Sequence, residues 1–258
     1  MPRPSPGLFG ILLAVAAPAL ADPTGLEVME LATQSHRAMD ERAVTEMVIV
    51  AEGQRTKKRS ALFLTASSED RDDKLLIRFE SPADIRGTAL LTLERGESED
   101  QHIYLPALKK TKRVARSGKS NRFAGTDFTY EDLRSEELTR SAYALLRSED
   151  VEGHPAWVVE ATPNSDWWKE ESAYGRRLFW IRKDHHLILR VEYFDRRDRM
   201  VKVRKNHGWK QIQGLWRFYG AEMQDLVRGT KTLLRIKERE INPGLSAALF
   251  TPAALTRQ

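Results

Sequence analysis

Val44-Thr45-Glu46-Met47-Val48-Ile49, then Leu62-Phe63-Leu64, then Leu75-Leu76-Ile77-Arg78-Phe79: in these stretches Thr45, Met47 and Ile49, Leu62 and Leu64, and Leu75, Ile77 and Phe79 recur with a period of two. Successive side chains of a strand point to opposite faces, so this period reads as half-buried antiparallel strands. Further candidates follow at 88–94, 101–105 and 109–114, separated by Pro, Gly and acidic turn residues. The pattern resumes over 142–149 and 155–161, whose link Asp150-Val151-Glu152-Gly153-His154 is a hairpin signal. It continues through 176–182, 187–194, 200–209, 215–226 and 230–240. Phe194 to Met200 forms a polar hairpin tip, and Trp209 to Trp216 a turn bounded by aromatics. So many strands, so regularly spaced, predict one large antiparallel sheet that curls or closes.

Ahead of the strands, residues 24–42 place Leu26, Met29, Ala32 and Met39 near one helical face, with acids early and Arg42 at the end. That spacing predicts an N-terminal amphipathic helix. Earlier still, Arg3, the apolar run Leu8–Ala17 and Ala19-Leu20-Ala21 have the form of a signal peptide over residues 1–21, with Asp22 as the mature start. No later segment reaches the roughly twenty apolar residues of a membrane-spanning helix. The expectation is an exported, soluble chain in which residues 22–258 form a single domain. Ser246–Phe250 before Pro252 reads as a short closing turn.

Composition removes several functions. There is no cysteine, which excludes disulfides, thiol catalysis, thiolate metal sites and a lipid anchor on a mature N-terminal cysteine. A net charge of +5 with 31% charged residues describes a solvated surface, compatible with anionic membranes or acidic partners but too weak for nucleic acid. No G-x-S-x-G or H-E-x-x-H motif and no calcium-loop spacing is present. Gly118-Lys119-Ser120 lacks the first glycine of a phosphate loop, Arg113 standing in its place. His185 and His186 point to opposite sides of a strand. No catalytic residue, metal ligand or cofactor is assigned.

Between the two runs of strands lies Gly125-Thr126-Asp127-Phe128-Thr129-Tyr130-Glu131-Asp132-Leu133. Thr129 and Asp132 have capping-box spacing, and Phe123, Phe128, Tyr130 and Leu133 bring aromatic and apolar surface to the same place. The stretch reads as a capped helical lid over something apolar, or as an ordinary core-packing turn; spacing alone admits both. Just before it, Lys109, Lys110, Lys112 and Arg113 open a basic run. That run suits docking to anionic headgroups or an acidic partner, and equally a sheet edge kept unpaired by charge. Trp167-Trp168, after Pro163-Asn164, reads as a loop pair beside a ligand mouth or membrane surface.

The segments Phe79–Leu91, Gln101–Leu108 and Gly125–Leu133, in this order behind a signal peptide, resemble the outer-membrane lipoprotein-sorting protein family, the LolA-like group of Gram-negative periplasmic proteins. The resemblance implies a mainly β fold: a strongly curved, half-closed antiparallel barrel of about ten to twelve strands, with an N-terminal helix and a helical lid over a hydrophobic cavity. It implies carriage, without chemical conversion, of lipid or lipoprotein acyl chains through the periplasm toward the outer membrane. An inner-membrane exporter, an outer-membrane acceptor and transient membrane-surface contact would accompany a monomeric carrier. On this reading Ile77, Phe79, Leu91, Leu93, Ile103, Leu105, Trp180 and Trp216 line the cavity. Phe123, Phe128, Tyr130 and Leu133 belong to the lid, and Asp127, Thr129 and Asp132 cap it. No motif assigns the arginine with which better-known carriers fasten their lid. The alternative is an adaptor subunit of an envelope export complex, docking through the basic run without lipid of its own.

Overall fold

The computed structural model describes residues 22–51, 53, 56–68, 72–96 and 98–256; the signal-peptide segment lies outside them. A helix, α1 (Gly25–Gln34), opens the chain. Strands follow as β1 (Asp40–Ala51), β2 (Lys57–Ala66), β3 (Lys74–Ser81), β4 (Ala89–Arg95), β5 (Ser98–Leu105) and β6 (Lys110–Arg113). After a connection over 114–140 come β7 (Ser141–Val151), β8 (His154–Pro163), the short helix α2 (Asp166–Glu171), β9 (Arg176–Arg182), β10 (Ile188–Phe194) and β11 (Met200–His207). The small strands β12 (Lys210–Ile212) and β13 (Leu215–Arg217) precede β14 (Gly220–Asp225) and β15 (Thr230–Ile241). Thirteen of these strands form one antiparallel sheet in the order β6-β5-β4-β3-β2-β1-β15-β14-β11-β10-β9-β8-β7, and β12–β13 form a separate ribbon. The fold is mainly β, as expected, with one strand more in its main sheet than anticipated. β6 and β7 are its unpaired edges, so the sheet is not closed.

The sheet curls so far that its two flanks meet. Arg140, immediately before β7, donates to Glu99 of β5 at 3.2 Å. Eleven strand positions separate β5 from β7, which in a flat sheet at ~4.8 Å per strand would be on the order of 50 Å. The connection 114–140 joins the two edge strands and lies across the inner face. There Phe123 packs with Met47, Ala61, Ile77, Phe79 and Leu90, while Phe128 packs with Val159, Phe179, Val191 and Met223. Leu133 touches both groups. The opposite face near β4 is covered by the chain's end, where Phe250 and Leu255 bury Leu64, Leu76 and Leu91.

The N-terminal helix is shorter than its sequence pattern. Thr24 and Glu27 form a capping box, but helix ends at Gln34 and Asp40 already begins β1, paired with β2 and followed along β15. Val28 and Met29 are its fully buried residues, whereas Leu26 and Met39 stay exposed. Its first residue must be small: a Cβ on Gly25 would sit 2.7 Å from the backbone of Ala144 in β7. The close packing of α1 on β7 and β8 follows from that contact.

Candidate functional site

A cavity of about 340 Å³ lies on the inner face of β8–β11, under α1, residues 131–141, the end of α2 and the β12–β13 ribbon. Its lining runs from Pro163, Trp168 and Arg177 at one end of those strands to Leu187, Asn206 and Trp216 at the other. Seven-residue strands such as β9 and β10 span on the order of 20 Å, and the cavity lining reaches along most of that length. Phe179, Val191, Ile188 and Ala161 give it an apolar wall, and Tyr174, Tyr193, Trp209 and Phe218 add aromatic surface.

The residues above the cavity are held by buried polar bonds. Asp127, without exposed surface, accepts from Thr232 Oγ1 at 2.7 Å and from Thr230, both on β15, and pairs with Arg122 at 2.9 Å. It therefore anchors the connection to the middle of the sheet instead of capping a helix. Thr129 and Asp132 do exchange the bonds of a capping box: Thr129 N donates to Asp132 Oδ2 at 2.7 Å and Asp132 N to Thr129 Oγ1 at 3.3 Å. What they cap is a single 3-10 turn, Glu131–Leu133; among the described residues 114–140 contains 3-10 turns and no α-helix. Asp132 also accepts from Lys202 Nζ at 2.8 Å and from Tyr174 OH at 2.7 Å. Burial opposes its ionisation, but Lys202 and these donors outweigh it and hold the carboxyl below the usual range. Burial and the neighbouring Asp132 push Tyr174 well up, so it stays a neutral donor.

Two further clusters fasten the next residues. Arg177 grips Glu136 with both terminal nitrogens, at 2.5 and 2.8 Å, and Tyr143 OH donates to the same carboxylate at 2.6 Å. Glu99 receives Arg134 at 2.7 Å, Arg140 at 3.2 Å and Lys119 at 3.4 Å, and Lys119 also pairs with Glu171, the last residue of α2. Glu94, accepting from Ser135 N at 3.0 Å, is raised to about 8 by burial and by nearby Glu99.

The sequence-expected cavity residues are divided among several places. Ile77 and Phe79 are on the inner face, packed against Phe123, with Ile103 beside them, and Leu105 follows on the same side of β5. Leu91 and Leu93 point the other way: Ile77 pairs with Leu90, and Leu76 with Leu91, a one-residue offset that exchanges faces. Trp180 is likewise on the outer face with Val158 and Leu178. Trp216 alone of the eight lines the cavity. Phe123 packs on Phe79 in a tilted pair at 5.4 Å between centroids and meets Tyr130 edge-on at 5.6 Å.

Trp167 and Trp168 sit in α2, capped by Ser165, and not in an irregular loop; the Asn164-Ser165-Asp166 run carries that start signal. Lys110, Lys112 and Arg113 form the exposed edge strand β6, preceded by Lys109 in a left-handed turn. Lys202, Tyr174, Arg177 and Arg204 escaped the sequence reading. In β11 the apolar residues Val201 and Val203 alternate with Lys202 and Arg204, and that pattern points the cations outward. In the structure Lys202 and Arg204 pair with Tyr193 and Val191 and face inward. Among the described residues no cluster of three His, Asp or Glu side chains is set to hold a metal. No helix among them is long and apolar enough to cross a membrane.

A single antiparallel sheet wrapped round a cavity, its edges joined by a covering connection, is a fold shared with solved structures. A LolA superfamily protein from Nitrosomonas europaea superposes with a TM-score of 0.71 at 18% identity, over 89% of this chain and 98% of that one. Closer in sequence is a structure from Vibrio parahaemolyticus described as an outer membrane lipoprotein-sorting protein domain: 30% identity, TM-score 0.85, over 90% of this chain and 98% of that one. A DUF1329 family protein from Desulfovibrio piger has 29% identity and a TM-score of 0.85, over 91% of this chain and all of that one. A family model described as "Uncharacterized protein" matches residues 71–257. No curated protein matches the sequence. The chain belongs to the outer-membrane lipoprotein-sorting protein family.

Proposed function

We propose that this protein is a carrier, not a catalyst, which takes lipid or lipoprotein acyl chains into the inner-face cavity and moves them through the periplasm toward the outer membrane. The observation that carries this reading is the elongated, partly apolar cavity beneath residues 131–140 of the connection. Burying hydrocarbon yields about 0.8 kcal/mol per methylene, enough for an aliphatic tail to be held with no covalent chemistry. Residues 1–21 serve as the export signal and 22–258 as one carrier domain. The 114–140 connection acts as the lid of a half-closed barrel, with Phe123, Phe128, Tyr130 and Leu133 as its apolar underside. Ile77, Phe79, Ile103 and Leu105 support that lid, and Trp216 stands beside the cargo. An inner-membrane exporter would load the carrier and an outer-membrane acceptor unload it.

Native mass spectrometry of protein recovered from the periplasm tests the proposal. Co-purified lipid, and uptake of a fluorescent fatty acid by the delipidated protein, are expected. A cavity persistently empty of lipid, with no uptake, overturns it.

A further inference from the structure

Among the described residues six arginines line the cavity: Arg134, Arg140, Arg176, Arg177, Arg204 and Arg217. Five are matched by carboxylates: Arg134 and Arg140 by Glu99, Arg176 by Glu160 and Asp198, Arg177 by Glu136 and Arg217 by Glu41. The cavity acids are spoken for in turn. Asp132 holds Lys202, Glu131 holds Arg134, Glu171 holds Lys119, and Glu137 caps its own turn through Thr139. Arg204 is the exception: among the described residues no carboxylate lies within ion-pair distance of it. Its Nε donates to Asn206 Oδ1 at 3.0 Å, and Asn206 Nδ2 is itself fixed to Ile188 O at 2.8 Å. The guanidinium carbon stands 5.6 Å from the Phe218 ring centre. The side chain is thus oriented from its Nε edge and by the ring, while its two terminal nitrogens make no hydrogen bond to any described residue.

A half-buried guanidinium whose fork is oriented and has no carboxylate partner among the described residues is a receptor for a planar or tetrahedral oxyanion, because two parallel N–H groups match two oxygens. Low-dielectric walls strengthen its field inside the cavity. The apolar wall made by Phe179, Val191 and Ile188 continues along the strands on either side. At about 340 Å³ the cavity is near the small end of ligand sites, roughly 300–1,000 Å³, which favours one slender tail over several.

We infer that the cavity takes a single-chain amphiphile with an anionic headgroup, a carboxylate or a phosphate, and that Arg204 receives that headgroup while the tail lies along β9–β11. The inference rests on the carrier reading above and narrows its cargo. Titration of the delipidated protein with lauric acid, lauryl phosphate, lauryl alcohol and lauryl trimethylammonium, all below their micelle thresholds, tests it. The anions are expected to bind at least about tenfold more tightly than the alcohol, and the cation most weakly. Whichever anion binds better identifies the headgroup. Arg204→Gln is expected to lower anion affinity to about that of the alcohol, removing the tenfold anion preference, with Arg204→Lys in between. Equal binding of acid and alcohol, or a folded Arg204→Gln protein that binds the anions as before, overturns the inference and leaves the carrier reading standing. Binding of none of the four overturns both. If Arg204→Gln does not fold, the anion–alcohol comparison on the unaltered protein decides.

Discussion

Asp132 and Lys202 are two opposite charges shut away from water, with Tyr174 completing the set. Removing one member of such a pair leaves its partner uncompensated and costs about 3–5 kcal/mol. Lys202→Met is accordingly expected to lower the urea midpoint sharply. Adding Asp132→Asn to it should recover part of the loss, as a double-mutant cycle will measure. Glu94 gives a pH signature. Its carboxyl ionises near 4.5 when unfolded and at about 8 when folded, so between those values the folded state binds the extra proton. Its contribution to stability is therefore fully present below 4.5 and is lost as pH rises toward 8, by about 1.4 kcal/mol per unit. Urea unfolding at a series of pH values should show this slope in the unaltered chain and its reduction in Glu94→Gln. At this scale the sequence was least legible. Lys202 and Arg204 alternate with valines, and hydropathy alone turns such cations to solvent; Asp132, far away in the chain, brings Lys202 inside, while Arg204 is held there by Asn206 and the Phe218 ring.

Element by element, the strands were legible because a period of two survives wherever one face is buried. The hairpin at Glu152-Gly153 and the close of the chain near Ala247–Leu249 fall where turn chemistry placed them. Regular helix was over-read twice. The helical pattern runs on to Arg42, yet residues from Asp40 pair with β2 and with β15, and ladder bonds to two neighbours outweigh weak helical periodicity. In the 123–133 stretch the capping box is real but caps one turn only. Thr129→Ala is expected to destabilise by about 1 kcal/mol, with faster amide exchange confined to 129–134. Gly25→Ala should cost more, on the order of 1–3 kcal/mol, because its Cβ would overlap the β7 backbone and lift α1 off the sheet; loss of proteolytic protection at residues 25–34 reports that displacement.

For the whole molecule, curvature was foreseen from strand number and family resemblance, whereas the means of holding it was not. Alternation says which face is apolar but not how far successive strands rotate, and the contacts that bring the flanks together are charged. Glu99 is their hub, facing Lys119, Arg134 and Arg140. Glu99→Gln should remove the one carboxylate that Lys119, Arg134 and Arg140 share, destabilise the chain by several kcal/mol, and enlarge the radius of gyration seen by small-angle scattering. A simple loss of stability with unchanged dimensions would mean that apolar packing alone keeps the flanks together.

Because the 114–140 connection is bonded covalently to both edge strands, it behaves as a strap and not as a hinged door. A door swings about one side and leaves its frame alone; a strap slackens only when the walls it spans approach each other or when its own rivets, at Asp127, Asp132 and Glu136, let go. Admission of cargo and breathing of the sheet are therefore one mechanical event, and the girth of the molecule sets how much room its passenger has.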